Sequence, residues 1–451
     1  MYIGFDYGTA NCSVAVMEGD SARMLPLEGD TPFIPSTLCA PTRESVSEYL
    51  YRFFKIEPED ALGKQLLRSA IAGNREEDIE LESGDLLFGQ AALDSYLADP
   101  EFVYYVKSPK SFLGASGLHD MQIRFFEDLV CAMMANIKQK SEFALQRSVS
   151  QTVIGRPVNF QGLKSELANQ QAESILYRAA KRAGFQNIEF QFEPVAAGLD
   201  YESQLTEDKT VLVVDIGGGT TDCSLIRMGP SYRNQLDRQA SLLSHSGSRV
   251  GGNDLDIHLA FNRIMPELGK DSKQQRGIFM PTKQFWNPIA INDVVAQTDF
   301  YMASNRKALE QLKSDAAQPD LLERLLAVYE HKLGYQLVLH AEQTKIAMSE
   351  QNEFTSTLDL AGVHRFDTVV DRNQVEESIA TPVSKMVELI REALTQASDK
   401  PDVIYMTGGS ARSPILRAVV ESELPGIPVV SGNFFGSVTA GLARYAEKVF
   451  G

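Results

Sequence analysis

The sequence predicts an α/β fold written twice, as two lobes that face one another across a cleft. Three observations point there. The chain has 451 residues, above the ~250–300 at which a single hydrophobic core stops growing. A strand–glycine turn–strand unit occurs near the amino terminus and again near the middle. A small-residue helix follows each unit in the same order, and self-similarity at so long a spacing means a duplicated domain, not a solenoid.

The first unit reads DYGTANCSVAVM at 6–17 and the second DIGGGTTDCSLIRM at 215–228. Allowing two extra glycines in the second, Asp, Gly, Thr, Cys, Ser and Met coincide. Apolar runs precede the turns (MYIGF and VLVV) and follow them (SVAV and CSLI), the pattern of strand, tight turn and strand. QTVIGRP at 151–157 and PDVIYMTGG at 401–409 supply a further strand in each half. VAAGLDY at 195–201 and VTAGLARY at 438–445 read as matched helices, with Gly198 and Gly441 at equivalent places where glycine lets two backbones approach closely.

The expected lobes are 1–205 and 206–451. An insertion falls at about 40–105, where RFFKIEPED and NREEDIELESGD carry few apolar runs, and another at about 246–330, with a loop-like stretch in 266–325. Apolar spacing predicts a long helix from about Leu321 to Met348, another over roughly 374–397, and a final helix to the carboxyl end. FTSTLDLAG reads as a strand.

A formal net charge of −17 argues against nucleic acid and anionic membranes as partners, since both require a positive surface. Cys12, Cys39, Cys131 and Cys223 form no C-x-x-C pair, and the histidines have no zinc-type spacing, so buried thiols in a reducing compartment are expected. No apolar run approaches a membrane span, and Asp6 interrupts the place of a signal peptide's apolar core. A cytoplasmic protein is the expectation.

Each turn places a carboxylate at a strand end, then glycine, then threonine. A carboxylate repels polyphosphate unless a divalent cation lies between them, and magnesium takes oxygen ligands while keeping several waters. Consecutive backbone N–H groups in a glycine turn form an anion-binding nest. Thr9 and Thr220 add hydroxyl donors, and Gly217, Gly218 and Gly219 allow close approach. Asp222 is a third carboxylate that could hold metal or orient water. MTGGSARSP at 406–414 is a third glycine turn, entering a helix whose amino terminus could meet a phosphate or the edge of an adenosine. The P-loop, dinucleotide-fingerprint and G-x-S-x-G patterns are absent.

These segments resemble the nucleotide-binding domain of DnaK-like heat-shock chaperones in the actin-like ATPase superfamily. IGFDYGTANCSVAVM is similar to that family's first phosphate motif, VVDIGGGTTDCS to its second and VIYMTGGSARSP to its adenosine motif. EPVAAGL and VTAGLA resemble its connecting helices. GGNDLD at 251–256, AEQTKIAMS at 341–349 and VKSPKSFLG at 106–114 resemble a glycine motif, the purine-binding helix and the catalytic-lysine segment. The motifs run in family order from residue 3 to 445, and the short YegD-type branch is the most similar.

The resemblance implies a duplicated ribonuclease H-like fold, with two lobes around a nucleotide cleft. It also implies a slow, magnesium-dependent ATPase that binds ATP or ADP, with potassium as a further candidate ion. By resemblance, Asp6, Asp215 and Asp222 surround metal and attacking water, and Glu193 bridges to the metal shell with Pro194 as its sensor. Thr9 and Thr220 contact phosphates along with Gly8, Ala10 and Gly217–Gly219. Lys110 orients the nucleophile, with Lys107 as the competing lysine. Gly251 and Gly252 adjoin the nucleotide. Glu342, Lys345 and Ser349 contact ribose and purine, and Gly408, Gly409, Ser410 and Arg412 lie on the base's other side.

Ala10 departs from the family's second threonine, and Phe434 and Phe435 stand near its usual acidic residue. The segment expected to follow in a full chaperone, a linker and peptide-binding domain, is not in this sequence. The implied partners are nucleotide and, for a chaperone, unfolded clients or a co-chaperone. A small-molecule kinase and a nucleotide-switch or filament protein of the same superfamily remain the alternatives.

Overall fold

Runs of β-branched and aromatic residues form the strands that the repeated units require. The computed structural model describes residues 1–115, 117–160, 166–233, 235, 239–432 and 436–451, with backbone alone at 239 and 294. The chain opens with β1 (Tyr2–Tyr7), β2 (Asn11–Glu18), β3 (Ser21–Met24) and β4 (Phe33–Pro35). A small sheet of β5 (Thr37–Ala40), β6 (Leu87–Phe88) and β7 (Tyr104–Lys107) follows, interleaved with α1 (Arg43–Arg52), α2 (Ala61–Glu76) and α3 (Gln90–Ala98). The first half closes with α4 (Asp120–Leu145), β8 (Gln151–Arg156), α5 (Glu166–Arg182), β9 (Asn187–Phe192) and α6 (Glu193–Glu202).

The second half repeats that order. It begins with β10 (Lys209–Ile216), β11 (Thr221–Met228) and β12 (Leu242–Ser248). A larger inserted group comes next: α7 (Gly252–Leu259), α8 (Lys283–Trp286), α9 (Val294–Tyr301), α10 (Ala303–Asp315), α11 (Pro319–Glu330), α12 (Gly334–Ala347), and the hairpin of β13 (Glu353–Leu360) and β14 (His364–Asp371). Then come α13 (Arg372–Thr395), β15 (Val403–Thr407), α14 (Pro414–Glu423), β16 (Val429–Ser431) and α15 (Ser437–Phe450).

The main sheets have matching orders, β3-β2-β1-β8-β9 and β12-β11-β10-β15-β16. In both, the first three strands are antiparallel and the last two join in parallel. This is the duplicated actin-like ATPase fold. Its closing helices are exchanged between halves: α15 lies on β1 and β2 of the first sheet, while α6 lies on β10 and β11 of the second. Val195, Ala197, Val213, Val403, Val438 and Leu442 form the shared core between them.

Register corrects the repeat read from the sequence. Asp6 pairs with Ser13 and Asp215 with Asp222, so the two turns have equal length and no extra glycines. Thr9 therefore matches Gly218, Asn11 matches Thr220, and Ser13 occupies the place of Asp222. The shared Cys-Ser pair is offset by two positions, Cys12 matching Thr221 and Cys223 matching Val14.

The glycines of the exchanged helices are also unequal. A Cβ on Gly441 would fall 1.7 Å from the Ala196 carbonyl oxygen, so this glycine sets the crossing of α6 and α15. A Cβ on Gly198 would instead meet the Met228 side chain at 2.1 Å, so its constraint is packing on β11.

The long helix expected over 321–348 is two helices. Lys332 adopts φ 51°, a left-handed backbone that ends α11. Gly334 starts α12 where a Cβ would lie 2.1 Å from the Pro288 carbonyl oxygen, so the amphipathic pattern continues through a break set by tertiary packing. The helix expected at 374–397 is α13, capped by the Asp371 side chain on Gln374 N–H.

Candidate active site

The equal-length turns meet face to face. A Cβ on Gly218 would fall 2.7 Å from the Ala10 Cβ, and one on Gly219 2.6 Å from the Thr9 Cγ2. Since Thr9 matches Gly218 and Ala10 matches Gly219, each contact is the other's counterpart about a local two-fold, the self-complementary logic of a symmetric dimer interface. Glycine in the second turn thus serves the approach of the first turn as well as any ligand.

Carbonyls of the second turn anchor the next element. Gly252 N–H donates to Gly217 O at 2.9 Å and Asn253 N–H to Gly218 O at 2.7 Å. Gly408 sits at φ 87°, and a Cβ there would lie 2.6 Å from Asp215 Oδ1, so the third turn also needs glycine.

Together these elements wall a cleft of about 440 Å³, within the ~300–1,000 Å³ usual for small-molecule sites. It is lined by Asp6, Gly8, Thr9, Ala10, Glu193, Asp215, Gly217, Gly218, Thr220, Gly252, Glu342, Lys345, Ser349, Gly408, Gly409, Ser410 and Arg412. Of the residues singled out from the sequence, Lys107, Lys110, Pro194, Gly219, Asp222 and Gly251 lie outside that lining. Lys110 and Gly219 line an adjoining pocket of about 10 Å³ with Thr9, Ser111, Pro157, Phe160, Thr220 and Arg249. Gly251 packs behind the second turn, and Asp222 turns one oxygen toward Val158. Phe434 and Phe435 lie outside the described residues.

At the inner end of the cleft Asp215, Asp222, Glu193 and Lys110 are buried and Asp6 is half-buried. Lys110 Nζ donates to Glu193 Oε1 at 2.5 Å. Burial, reinforced by Glu193, pushes the Asp6 carboxyl up to about 7 and the Asp222 carboxyl up to about 8. Asp215 is raised well above the carboxylate range by burial and by Glu193, Asp222 and Asp6. Burial works against charge on Lys110, but Glu193 and Asp6 outweigh it and its pKa is raised. Asp222 Oδ1 accepts from Val158 N–H at 2.9 Å; its other oxygen is buried without a hydrogen bond of ordinary length, beside the Thr220 hydroxyl.

Crowded carboxylates facing one lysine call for a further cation. Among the described residues no three His, Cys, Asp or Glu side chains are arranged to ligate an ion directly. Asp6, Asp215 and Glu193 line the cleft as oxygen donors of the kind magnesium accepts largely through water.

The cleft's outer end is bridged. Lys107 pairs with Glu342 at 3.0 Å, so of the two lysines only Lys110 faces the buried carboxylates. Lys107, followed by Lys345, holds the Glu342 carboxyl below its usual range despite burial. Tyr96 stacks on Tyr105 at 4.6 Å, Tyr335 meets Tyr105 edge-on at 5.2 Å, and Tyr96 Oη donates to Lys332 O at 2.6 Å. His331 and Glu101 add a contact of 2.5 Å.

Sequence reasoning missed several lining residues. Asp256 is buried, pairs with Lys345 at 2.7 Å, and is pushed up to about 6 by burial against the pull of that lysine. The signal available was its place in GGNDLD, about one turn of helix from the glycines. Ile346, an exposed apolar residue, and Ser13, bonded to Thr439 at 2.6 Å, also face the cleft.

Residues 120–278 match the Hsp70 protein family model. The match includes Glu193, Asp215, the second turn, Asp222, Gly251 and Gly252, and supports an Hsp70-type nucleotide-binding domain. Proteins of that family bind ATP and ADP with magnesium and hydrolyse ATP, so an ATP-binding unit of the DnaK-like chaperone class is the reading the match supports. Among the described residues no helix is long and apolar enough to cross a membrane.

Proposed function

We propose that the chain is a slow, magnesium-dependent ATPase of DnaK-like type, most similar to the YegD-type branch, whose two lobes (1–205 and 206–451) close on the nucleotide. The observation that carries this reading is the pair of apposed turns. They bring glycine backbone and the Thr9 and Thr220 side chains beside half-buried Asp6 and buried Asp215 and Asp222.

In this reading the phosphates lie along the turns, while Glu342, Lys345 and Ser349 face ribose and base opposite Ser410 and Arg412. Hydrolysis forms a bond from a water oxygen to the terminal phosphorus and breaks the bond to the bridging oxygen. That oxygen leaves with the electron pair on ADP, and the water's proton passes to phosphate or solvent. Lys110 orients the water, Glu193 holds Lys110, and Asp222 acts behind the Thr220 hydroxyl. Magnesium, when bound, neutralises charge on the phosphates. Positioning and charge neutralisation of this kind dominate phosphoryl transfer.

Four buried, unpaired thiols favour a reducing, cytoplasmic setting. Clients and co-chaperones are implied by the family type, and binding assays with unfolded polypeptide would identify them.

The test is single-turnover hydrolysis with magnesium, comparing wild type with Lys110→Ala. A fall of ~10² or more is expected for a positioned catalytic group. ATP binding with no hydrolysis in either protein would replace the ATPase reading with a nucleotide switch.

A further inference from the structure

Arg249 is the cation near the turns that the foregoing mechanism leaves unused. It precedes Val250 and the Gly251–Gly252 pair, and its side chain lines the small pocket that also holds Lys110 and Thr220. At about 10 Å³ that pocket approaches the room of one water molecule, ~10–15 Å³ by the same kind of measure.

A guanidinium has five N–H donors in a planar fork. Among the described residues the Arg249 fork has a single acceptor, the Asn292 carbonyl, and Asp254 and Asp293 act on it as nearby charges without an ion pair. Asp254 is committed elsewhere: Oδ2 accepts from Gly251 N–H at 2.8 Å and Oδ1 from Asn292 Nδ2 at 3.2 Å. Burial accordingly lowers the Arg249 pKa, with Asp254 and Asp293 only partly opposing it. A half-buried cation with spare donors beside phosphate-type turns is complementary to an anion that is not part of the protein.

We propose that Arg249 contacts the terminal phosphate of ATP from the side opposite the main cleft, and stabilises charge on the transferred group together with Lys110. This rests on the ATPase reading. The bonds formed and broken are those given above; Arg249 exchanges no proton and supplies N–H donors to the phosphate oxygens. It would act as an arginine supplied by the hydrolysing chain itself, countering the charge spread over the equatorial oxygens of the transferred group in the transition state. Its bond to Asn292 would also report the presence of that phosphate to the loop entering α9.

The experiment compares wild type, Arg249→Ala and Arg249→Lys. It measures single-turnover ATP hydrolysis, ATP and ADP affinity, and thermal unfolding as a check of fold. Arg249→Ala should lose ~10²-fold or more in hydrolysis, with ADP affinity within ~3-fold of wild type. Arg249→Lys, which keeps charge and loses the fork, should recover part of the rate. Hydrolysis within ~3-fold of wild type in Arg249→Ala would overturn the proposal. Equal weakening of ATP and ADP would also overturn it, because a tether for Asn292 does not distinguish the two nucleotides. A wild-type chain that binds no ATP would overturn the ATPase reading and this role with it; normal wild-type turnover, indifferent to the substitution, would overturn the role of Arg249 alone.

Discussion

Replacing Asp222 by asparagine should stabilise the ligand-free protein while abolishing its hydrolysis. Asp222 is buried, and the Val158 N–H bond to one oxygen survives the substitution. What asparagine removes is charge. In the unfolded chain the carboxyl ionises near 3.8, whereas burial and Glu193 push it up to about 8 in the folded one. Between those values the folded state holds a proton that the unfolded state has lost, so stability falls as pH rises, and the loss is complete above the folded value. At about 1.4 kcal/mol per pH unit, the ceiling is about 6 kcal/mol. Asp6 and Asp215 share the same enclosure, and one proton held among them relieves the rest, so about 2–3 kcal/mol is the expected gain at pH 9, and less at pH 6. Denaturant unfolding of both proteins at the two pH values reads the gain, and single-turnover hydrolysis with magnesium reads a loss of ~10² or more. A variant less stable than wild type at pH 9, or one that hydrolyses ATP within ~3-fold of wild type, would refute the reasoning.

Gly441→Ala should separate α6 from α15, because its Cβ would lie 1.7 Å from the Ala196 carbonyl oxygen; a cost of ~1–3 kcal/mol or more would appear as a lower denaturation midpoint, with ATP bound more weakly because Glu193 begins α6. An unchanged midpoint would contradict the packing argument. At the outer end of the cleft, Lys107→Ala combined with Tyr335→Ala removes the ion pair to Glu342 and the edge-on contact with Tyr105. Stopped-flow release of a fluorescent ADP analogue should quicken by ~10-fold, and an unaltered release rate would show that these contacts do not restrain the nucleotide.

Much of the fold was legible because its signals are local. Strand runs flanking glycine turns, the paired small-residue helices and the helical spacing of 374–397 each mark an element from its own residues. Register was harder. The Cys-Ser pair after each turn drew the two motifs into an alignment with extra glycines, whereas backbone pairing of Asp6 with Ser13 and Asp215 with Asp222 gives turns of one length. The break between α11 and α12 was hidden for a related reason: apolar spacing persists through it, and only the Pro288 carbonyl against Gly334 shows why the chain must turn. At the site, residues inside motifs were legible and those defined by a distant partner were not. Asp256 matters through Lys345, 89 residues away in sequence, and Arg249 through a pocket whose other walls come from both halves of the chain.

The central claim, that the apposed turns form an ATP site served by magnesium, is tested most directly by calorimetric titration of the purified chain with ATP, with and without the metal. Saturable binding at one site is expected, weaker when magnesium is withheld, with a further loss in Asp215→Lys, which replaces a buried carboxylate between the second and third turns. Absence of saturable binding in the wild-type chain with magnesium present would contradict it.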